Sequence, residues 1–484
     1  MAAAYGIHLG NSTASLASFA NGTAAVIAND SGDRVTPAII ALNGSEWEIG
    51  LPAKSGQANS KAIIRHNKRL MNCDWSDDDL VYVETSSSCR IQNDERLVTY
   101  EFETNETKLY SNPDNITTKI YSKIFTIASH SVRNEGDLKL VLAAPLHWSN
   151  VSRQRLVKCA ELAGFDVLQV ISEPAAALLA YNIEETSDDL NVLVYRLGGT
   201  TCDASIVRVS SGFISVEKNI FRSDLGGQCL TKDLADYIAQ EFKQKWKLDP
   251  QESRRAMSKL LQHADNCKHV LSSLNSAHVF IESLLDGVDW SQNVSRARFE
   301  NIISTKISAY IEPAQKIIEE FNGKINKIVL CGGSMKIPKL QTAIANLLPD
   351  AELLSGISPD EVIALGCAKE AGMLLDIPEI SLNDSNTEVE FLGKDIYLKY
   401  LDQTVHIFKE GTPVFTQNSC NVDVNNDVKN LSFTLHDSPD SEHFATETFD
   451  IKDLCKPFTL KATLQQSNVV LQVEITHLFI KTIL

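Results

Sequence analysis

Over the first 375 positions, apolar residues fall into two alternating textures. KLVLAAPL at 139–146, NVLVYRL at 191–197 and KIVLCGG at 327–333 are short, β-rich and nearly continuous in apolar character, which predicts strands covered on both faces. Between the first two, SRQRLVKCAELAG at 152–164 spaces its apolar residues for one helix face and ends on a glycine stop. Such alternation predicts an α/β architecture. After Pro378 the texture changes. Residues 379–394, EISLNDSNTEVEFLGK, open acidic and polar and read as a linker. From 395 to 484 come IYLKYL, TVHIFKE, LSFTLH, FTLKATL and NVVLQVEIT, separated by turn residues, which predict a small, truncated β-sandwich.

One internal repeat stands out. HLGNST at 8–13 and RLGGTT at 196–201 share a polar residue, Leu, Gly, a small residue, Ser or Thr, and Thr. Each follows an apolar stretch and precedes another, ASLASF and CDASIVRV. Either one alone is a hairpin whose turn carries Gly and Thr. Together, two strand–turn–strand units of like design predict a duplicated fold with one phosphate clamp in each half.

The formal net charge of −17 argues against direct binding to nucleic acid, whose phosphates reward a basic face. Work near RNA would therefore run through another protein. The N-terminus lacks a basic region before an apolar core, and no stretch of 18 apolar residues occurs, so no membrane span and a cytosolic location are expected. The ten cysteines include no CxxC pair, which favours reduced thiols in core gaps over zinc or redox chemistry.

Eight blocks carry a resemblance to a known family: YGIHLGNST (5–13), HNKRLM (66–71), ISEPAAALLAY (171–181), YRLGGTTCDAS (195–205), SDLGGQCLTKDLA (223–235), SRARFE (295–300), VLCGGSMKIPKLQ (329–341) and SPDEVIALGCA (358–368). In this order they resemble the heat-shock 70-kDa chaperones over essentially the whole chain. The resemblance implies a two-lobed, actin-like (ribonuclease H-like, duplicated) nucleotide-binding domain over 1–378. Lobe I would take about 1–185 plus the last helix at about 360–378, and lobe II about 186–359. A linker at 379–394 and a peptide-binding type of sandwich at 395–484 would follow, with no helical lid after it. It also implies ATP or ADP as ligand and unfolded protein segments as clients. For a short, divergent member it implies a J-domain co-chaperone as heterodimer partner, with the ribosome or nascent polypeptide reached through that partner.

Carried over residue by residue, the resemblance places Gly10, Asn11, Ser12 and Thr13 in the first phosphate turn, and Gly198, Gly199, Thr200 and Thr201 in the second. Backbone N–H groups in such turns point at phosphate oxygens, and glycine lets them approach closely. Thr200 stands where the family has a third glycine, so crowding of the γ-phosphate or a shifted turn is expected. Gly332, Gly333 and Ser334 match the adenosine-binding turn, Gly227 a further nucleotide contact, and Asp360 lies in the last block. Asp265, Lys268, His269 and Ser272 match the helix flanking base and ribose, where spacings of three and four put side chains on one face. His269 and Lys336 replace arginines, which should weaken stacking on adenine by about 1 kcal/mol. Lys68, Glu173, Thr201 and Asp203 match catalytic positions.

Two positions depart from the pattern. Where the family has carboxylates holding the water shell of magnesium, this chain has His8 and Arg196. Magnesium is normally held by such carboxylates together with substrate phosphates, so no metal site is expected. A guanidinium instead favours phosphate itself. Arg196 is therefore expected either to neutralise phosphate directly or to turn outward to a surface carboxylate. Three functions compete: a co-chaperone that holds nucleotide with weak or absent turnover, a cycling ATP-driven chaperone, and a small-molecule kinase of the same superfamily. The kinase lacks any motif for a catalytic base. Val414, Phe415 and Phe433 could line a peptide cleft, although alternating apolar residues in a sandwich are more often core.

Overall fold

A computed structural model of the chain describes residues 3–55, 62–94, 96–103, 108–131, 138–183, 189–210, 213–375, 394–409, 417–422, 430–439, 441–443, 445–450, 458–464, 469–475 and 478–483. The linker expected at 379–394, and Val414 and Phe415, lie outside these residues, Lys394 apart.

Two five-strand paths share one topology. In the first sheet, Ala3–Leu9 pairs antiparallel with Thr13–Ala20, which pairs antiparallel with Thr23–Val26. Ala3–Leu9 also runs parallel to Leu138–Ala144, and that strand parallel to Asp166–Ser172. In the second sheet, Leu190–Leu197 pairs antiparallel with Cys202–Ser210, and this strand with Phe213–Arg222. Leu190–Leu197 runs parallel to Lys327–Cys331, which runs parallel to Glu352–Leu354. Both paths read third, second, first, fourth, fifth in chain order. The duplication inferred from the two hairpins is thus a property of the whole sheets.

The predicted helix at 152–164 forms as Asn150–Leu162, capped by Ser149 and closed by Gly164 at φ +106°, a left-handed conformation suited to glycine. Between the sheets, the helices Glu173–Ala180 and Val362–Leu375 bury small residues: Ala176, Ala177, Ala364, Ala368 and Ala371 are all inaccessible. Their crossing is close because Gly366 has no side chain. A Cβ there would sit 1.7 Å from the Ala176 carbonyl oxygen. Gly6 does the same for the first sheet, where a Cβ would fall 2.1 Å from the Ala368 nitrogen. The cores on the outer faces of the sheets are built from larger residues, with Tyr5, Tyr100 and Phe102 in one and Phe242, Phe299 and Trp290 in the other. Large side chains thus fill the outer layers, and alanines and glycines weld the centre.

The C-terminal strands form two antiparallel four-stranded sheets, one ordered Gln403–Phe408, Ile396–Tyr400, Asn430–His436, Ala445–Asp450. The other runs Gln417–Val422, Phe458–Leu464, Val469–Ile475, Leu478–Ile483. Phe433 is fully buried between Tyr400 and Phe449, so it is a core residue and not part of a cleft. Among the described residues no helix is long and apolar enough to cross a membrane.

Gly366→Ala should destabilise the protein by at least about 1–3 kcal/mol through overpacking at the helix crossing. Gly356→Ala, where a Cβ meets nothing within 4 Å, should be near neutral. Urea denaturation midpoints of the two variants check the contrast.

Candidate nucleotide site

The two hairpin turns close with matching hydrogen bonds. Gly10 N–H donates to the Thr13 carbonyl at 2.8 Å, and Gly198 N–H to the Thr201 carbonyl at 2.9 Å. Thr200 therefore does not shift the second turn. The same bonds correct one expectation: the Gly10 and Gly198 amides are committed within their own turns. The amides of Asn11, Ser12, Gly199 and Thr200 make no backbone bond among the described residues and remain as donors. The turns face each other so closely that a Cβ on Gly199 would lie 2.1 Å from Ser12 Oγ. Asn11 Oδ1, Ser12 Oγ and Thr200 Oγ1 are buried there without any partner. Orphaned buried polar atoms are rare in folded proteins, and three at two turn tips mark a place that a ligand completes.

Strand register puts His8 opposite Ser15 and Arg196 opposite Asp203, equivalent positions in the two hairpins. Both side chains point at Glu173, the first residue of its helix. Glu173 Oε1 accepts from Lys68 Nζ at 3.1 Å and from His8 Nε2 at 3.2 Å. Its Oε2 lies 2.8 Å from Arg196 Nε, an ion pair without hydrogen-bond alignment, since that Nε has no bonded partner. Arg196 Nη2 also donates to Asp203 and, at 3.0 Å, to Thr201 Oγ1. Arg196 is 7% exposed, so it has not turned to the surface.

These contacts set the charges. Burial works against the Glu173 carboxylate, but Arg196 and Lys68 together hold its pKa well below the usual range. Burial pushes the Asp203 carboxyl up, to about 6, against the pull of Arg196. The Arg196 guanidinium, although buried, is held above its ordinary value by Asp203 and Glu173. Burial lowers the His8 pKa despite Glu173, so the ring is neutral and its Nε2 carries the proton donated to the carboxylate. Burial also lowers Lys68, partly offset by Glu173. Two cations and two carboxylates thus neutralise one another behind the hairpin turns.

The turns open into a cleft of about 460 Å³. His8, Gly10, Asn11, Ser12, Thr13, Arg196, Gly198, Gly199, Thr201, Asp265, Lys268, His269, Ser272, Gly332, Gly333, Ser334 and Asp360 all line it. Six expected residues do not line it. Lys68, Glu173 and Asp203 form the charged cluster, and Thr200 is buried in its turn. Gly227 lies against the second turn, its N–H donating to the Gly198 carbonyl at 3.0 Å. Lys336 pairs with Asp360 at 2.6 Å.

Across the cleft, Lys54 Nζ meets Asp265 at 3.0 Å, linking helix Leu51–Ser55 to helix Arg254–Ser273. Lys268 and His269 pair with the same carboxylate. Burial opposes ionisation of Asp265, but Lys268, His269 and Lys54 hold its pKa far below the usual value. Sequence reasoning missed Lys54, Arg65, His66, Tyr82 and the stripe Arg254, Met257, Ser258, Leu261, Gln262, all of which line the cleft. The stripe was readable, because it extends the spacing of Asp265, Lys268 and Ser272 backward by threes and fours. Arg69 was missed too: it bonds Asp79 at 2.6 Å and the Thr200 carbonyl at 2.9 Å, and its guanidinium lies over Tyr82.

The residues fit a nucleotide: orphaned hydroxyls and free amides at the turn tips, and a polar helix face opposite a glycine turn. A bound triphosphate would supply the anion that these donors lack. They do not fit hydrated magnesium. Glu173 and Asp203 are already committed to Arg196 and Lys68, and a further cation would face a guanidinium and an ammonium. Among the described residues, no group of three His, Cys, Asp or Glu could hold a metal ion.

Comparison with known proteins agrees with the fold. The family model for Hsp70 protein matches residues 4–439. The chain belongs to the Hsp70 family. It is 39% identical to heat shock 70 kDa protein 14 of Danio rerio, over 85% of this chain and 84% of that protein. Against the protein of that name from Bos taurus the identity is 37%, over 90% of this chain and 87% of the other. Against the Homo sapiens protein it is 36%, over 92% and 89%. The chain is thus an Hsp70-family chaperone with the actin-like, two-lobed fold, and the family implies ATP or ADP as ligand.

Because the folded-state pKa of Asp265 lies below its unfolded value, the stability it contributes is complete above about pH 4 and is lost as pH falls below that. Asp265→Asn should therefore lower the denaturation midpoint at pH 7, and the gap to the parent should narrow as pH is taken from 5 toward 2.

Proposed function

We propose that this chaperone holds its nucleotide without magnesium and turns it over weakly or not at all. It would act in the cytosol as the nucleotide-stabilised half of a heterodimer with a J-domain partner that serves nascent chains at the ribosome. The observation that carries the reading is the seat of the Arg196 guanidinium between Glu173 and Asp203. A charge fixed to the chain does there what a metal would do by coordination, and guanidinium is suited to phosphate on its open edge. Arg196 Nη1 lies beside the second phosphate turn, 3.2 Å from where a Cβ on Gly198 would be. Similarity to proteins named heat shock 70 kDa protein 14 supports that branch, and the J-domain partner and the ribosome are proposed from it alone.

A second reading, a cycling chaperone that binds unfolded peptides, has support in one observation: Lys68, Glu173, Thr201 and Asp203 are all gathered around Arg196. Two measurements separate the readings. Calorimetric titration of ATP should give dissociation constants that agree within about threefold with magnesium and with chelator. Loss of binding on chelation sinks the first reading. Arg196→Asp should make binding depend on magnesium. Single-turnover hydrolysis should stay slow when a J-domain protein is added, whereas stimulation to a cycling chaperone's rate favours the second reading.

A further inference from the structure

In a trans peptide the carbonyl of one residue and the N–H of the next point in opposite directions. Whatever holds a turn's carbonyls therefore also aims its amides. In the second phosphate turn three successive carbonyls are held. That of Gly198 accepts the Gly227 N–H at 3.0 Å and Ser334 Oγ at 2.9 Å. That of Gly199 accepts the Gln228 N–H at 2.8 Å, and that of Thr200 accepts Arg69 Nη2 at 2.9 Å. The amides paired with them belong to Gly199, Thr200 and Thr201, and none of these makes a backbone bond among the described residues. Successive free amides of this kind form a concavity for anions.

The holds differ in origin. Gly227, Gln228 and Ser334 belong to the second half of the chain, whereas Arg69 comes from the first, in the 3-10 turn Asn67–Met71. Its guanidinium is 7% exposed and spans three fixed points. Nη1 donates to Asp79 Oδ1 at 2.6 Å, Nη2 donates to the carbonyls of Thr200 and Ser223, and the group lies 4.2 Å over the Tyr82 ring. Asp79 is anchored in turn, in the first turn of helix Asp77–Ser86, where its Oδ2 accepts the Ser76 N–H at 3.0 Å. A planar fork can meet a carboxylate and two carbonyls at once, which a single ammonium centre does poorly. Arg69 itself does not line the cleft.

We infer that Arg69 is a positioning residue for the nucleotide: it sets the second phosphate turn from the first half of the chain, and phosphate affinity depends on it without contact with the ligand. This rests on the nucleotide reading above. Without Arg69 the Thr200 carbonyl loses its hold, and the ligand must order the turn itself, which weakens binding.

Calorimetry with ATP and with adenosine, which has no phosphate, tests it on the full chain, Arg69→Gln and Arg69→Lys. ATP should bind both variants about tenfold more weakly than the parent, and adenosine should stay within about twofold. Lysine keeps the charge and loses the fork, and it carries the test if Arg69→Gln fails to fold. ATP affinity within about twofold of the parent in Arg69→Lys overturns positioning by the fork, and so does a loss for adenosine equal to that for ATP. Either result leaves the nucleotide reading standing. Failure of the parent chain to bind ATP overturns that reading and this inference with it.

Discussion

A guanidinium caught between two buried carboxylates organises this site. Arg196 belongs to a strand of the second sheet, and Glu173 begins a helix that follows the first sheet. Their ion pair joins the two halves through the chain's own charges. Removing one member of such a buried set leaves an unpaired ion, which costs about 3–5 kcal/mol, so the group holds together as a unit. Lys68 and His8 fall in with it: each gives its hydrogen bond to the same Glu173 oxygen, and the ring stays neutral because burial outweighs that carboxylate.

Much of this architecture was legible in the chain. Strands and helix in the first 375 residues follow from apolar periodicity, and the hairpin repeat anticipated a duplicated fold, seen here as two sheets of one strand order. The sandwich strands 417–422 and 445–450 were less visible. QNSCNV and ATETFD are largely polar, and a strand with one solvated face carries too few apolar residues to announce itself. The charged cluster was legible as a list of residue types but not as a geometry. Sequence says that a cation stands at 196, and only folding says which anions it meets. Register decides this, since the hairpin sets Arg196 opposite Asp203 while its twin sets His8 opposite the uncharged Ser15. Two cleft arginines were hidden for a related reason. Arg65 and Arg254 lie far apart in the chain and become neighbours of one cavity only when the two lobes face each other.

A ligand shifts a conformational equilibrium only by its differential affinity for the two states. A metal held jointly by carboxylates from both halves would be such a ligand, because it bridges them only when present. Here side chains of the two halves meet directly. Arg196 to Glu173, Arg69 to the Thr200 carbonyl, Lys54 to Asp265 and His147 stacked on Phe221 at 3.8 Å all cross from elements of the first half to elements of the second. A chaperone that cycles needs two well-separated states that the nucleotide can choose between. On the reading proposed above, this chain would instead gain stability from nucleotide by mass action on a single state.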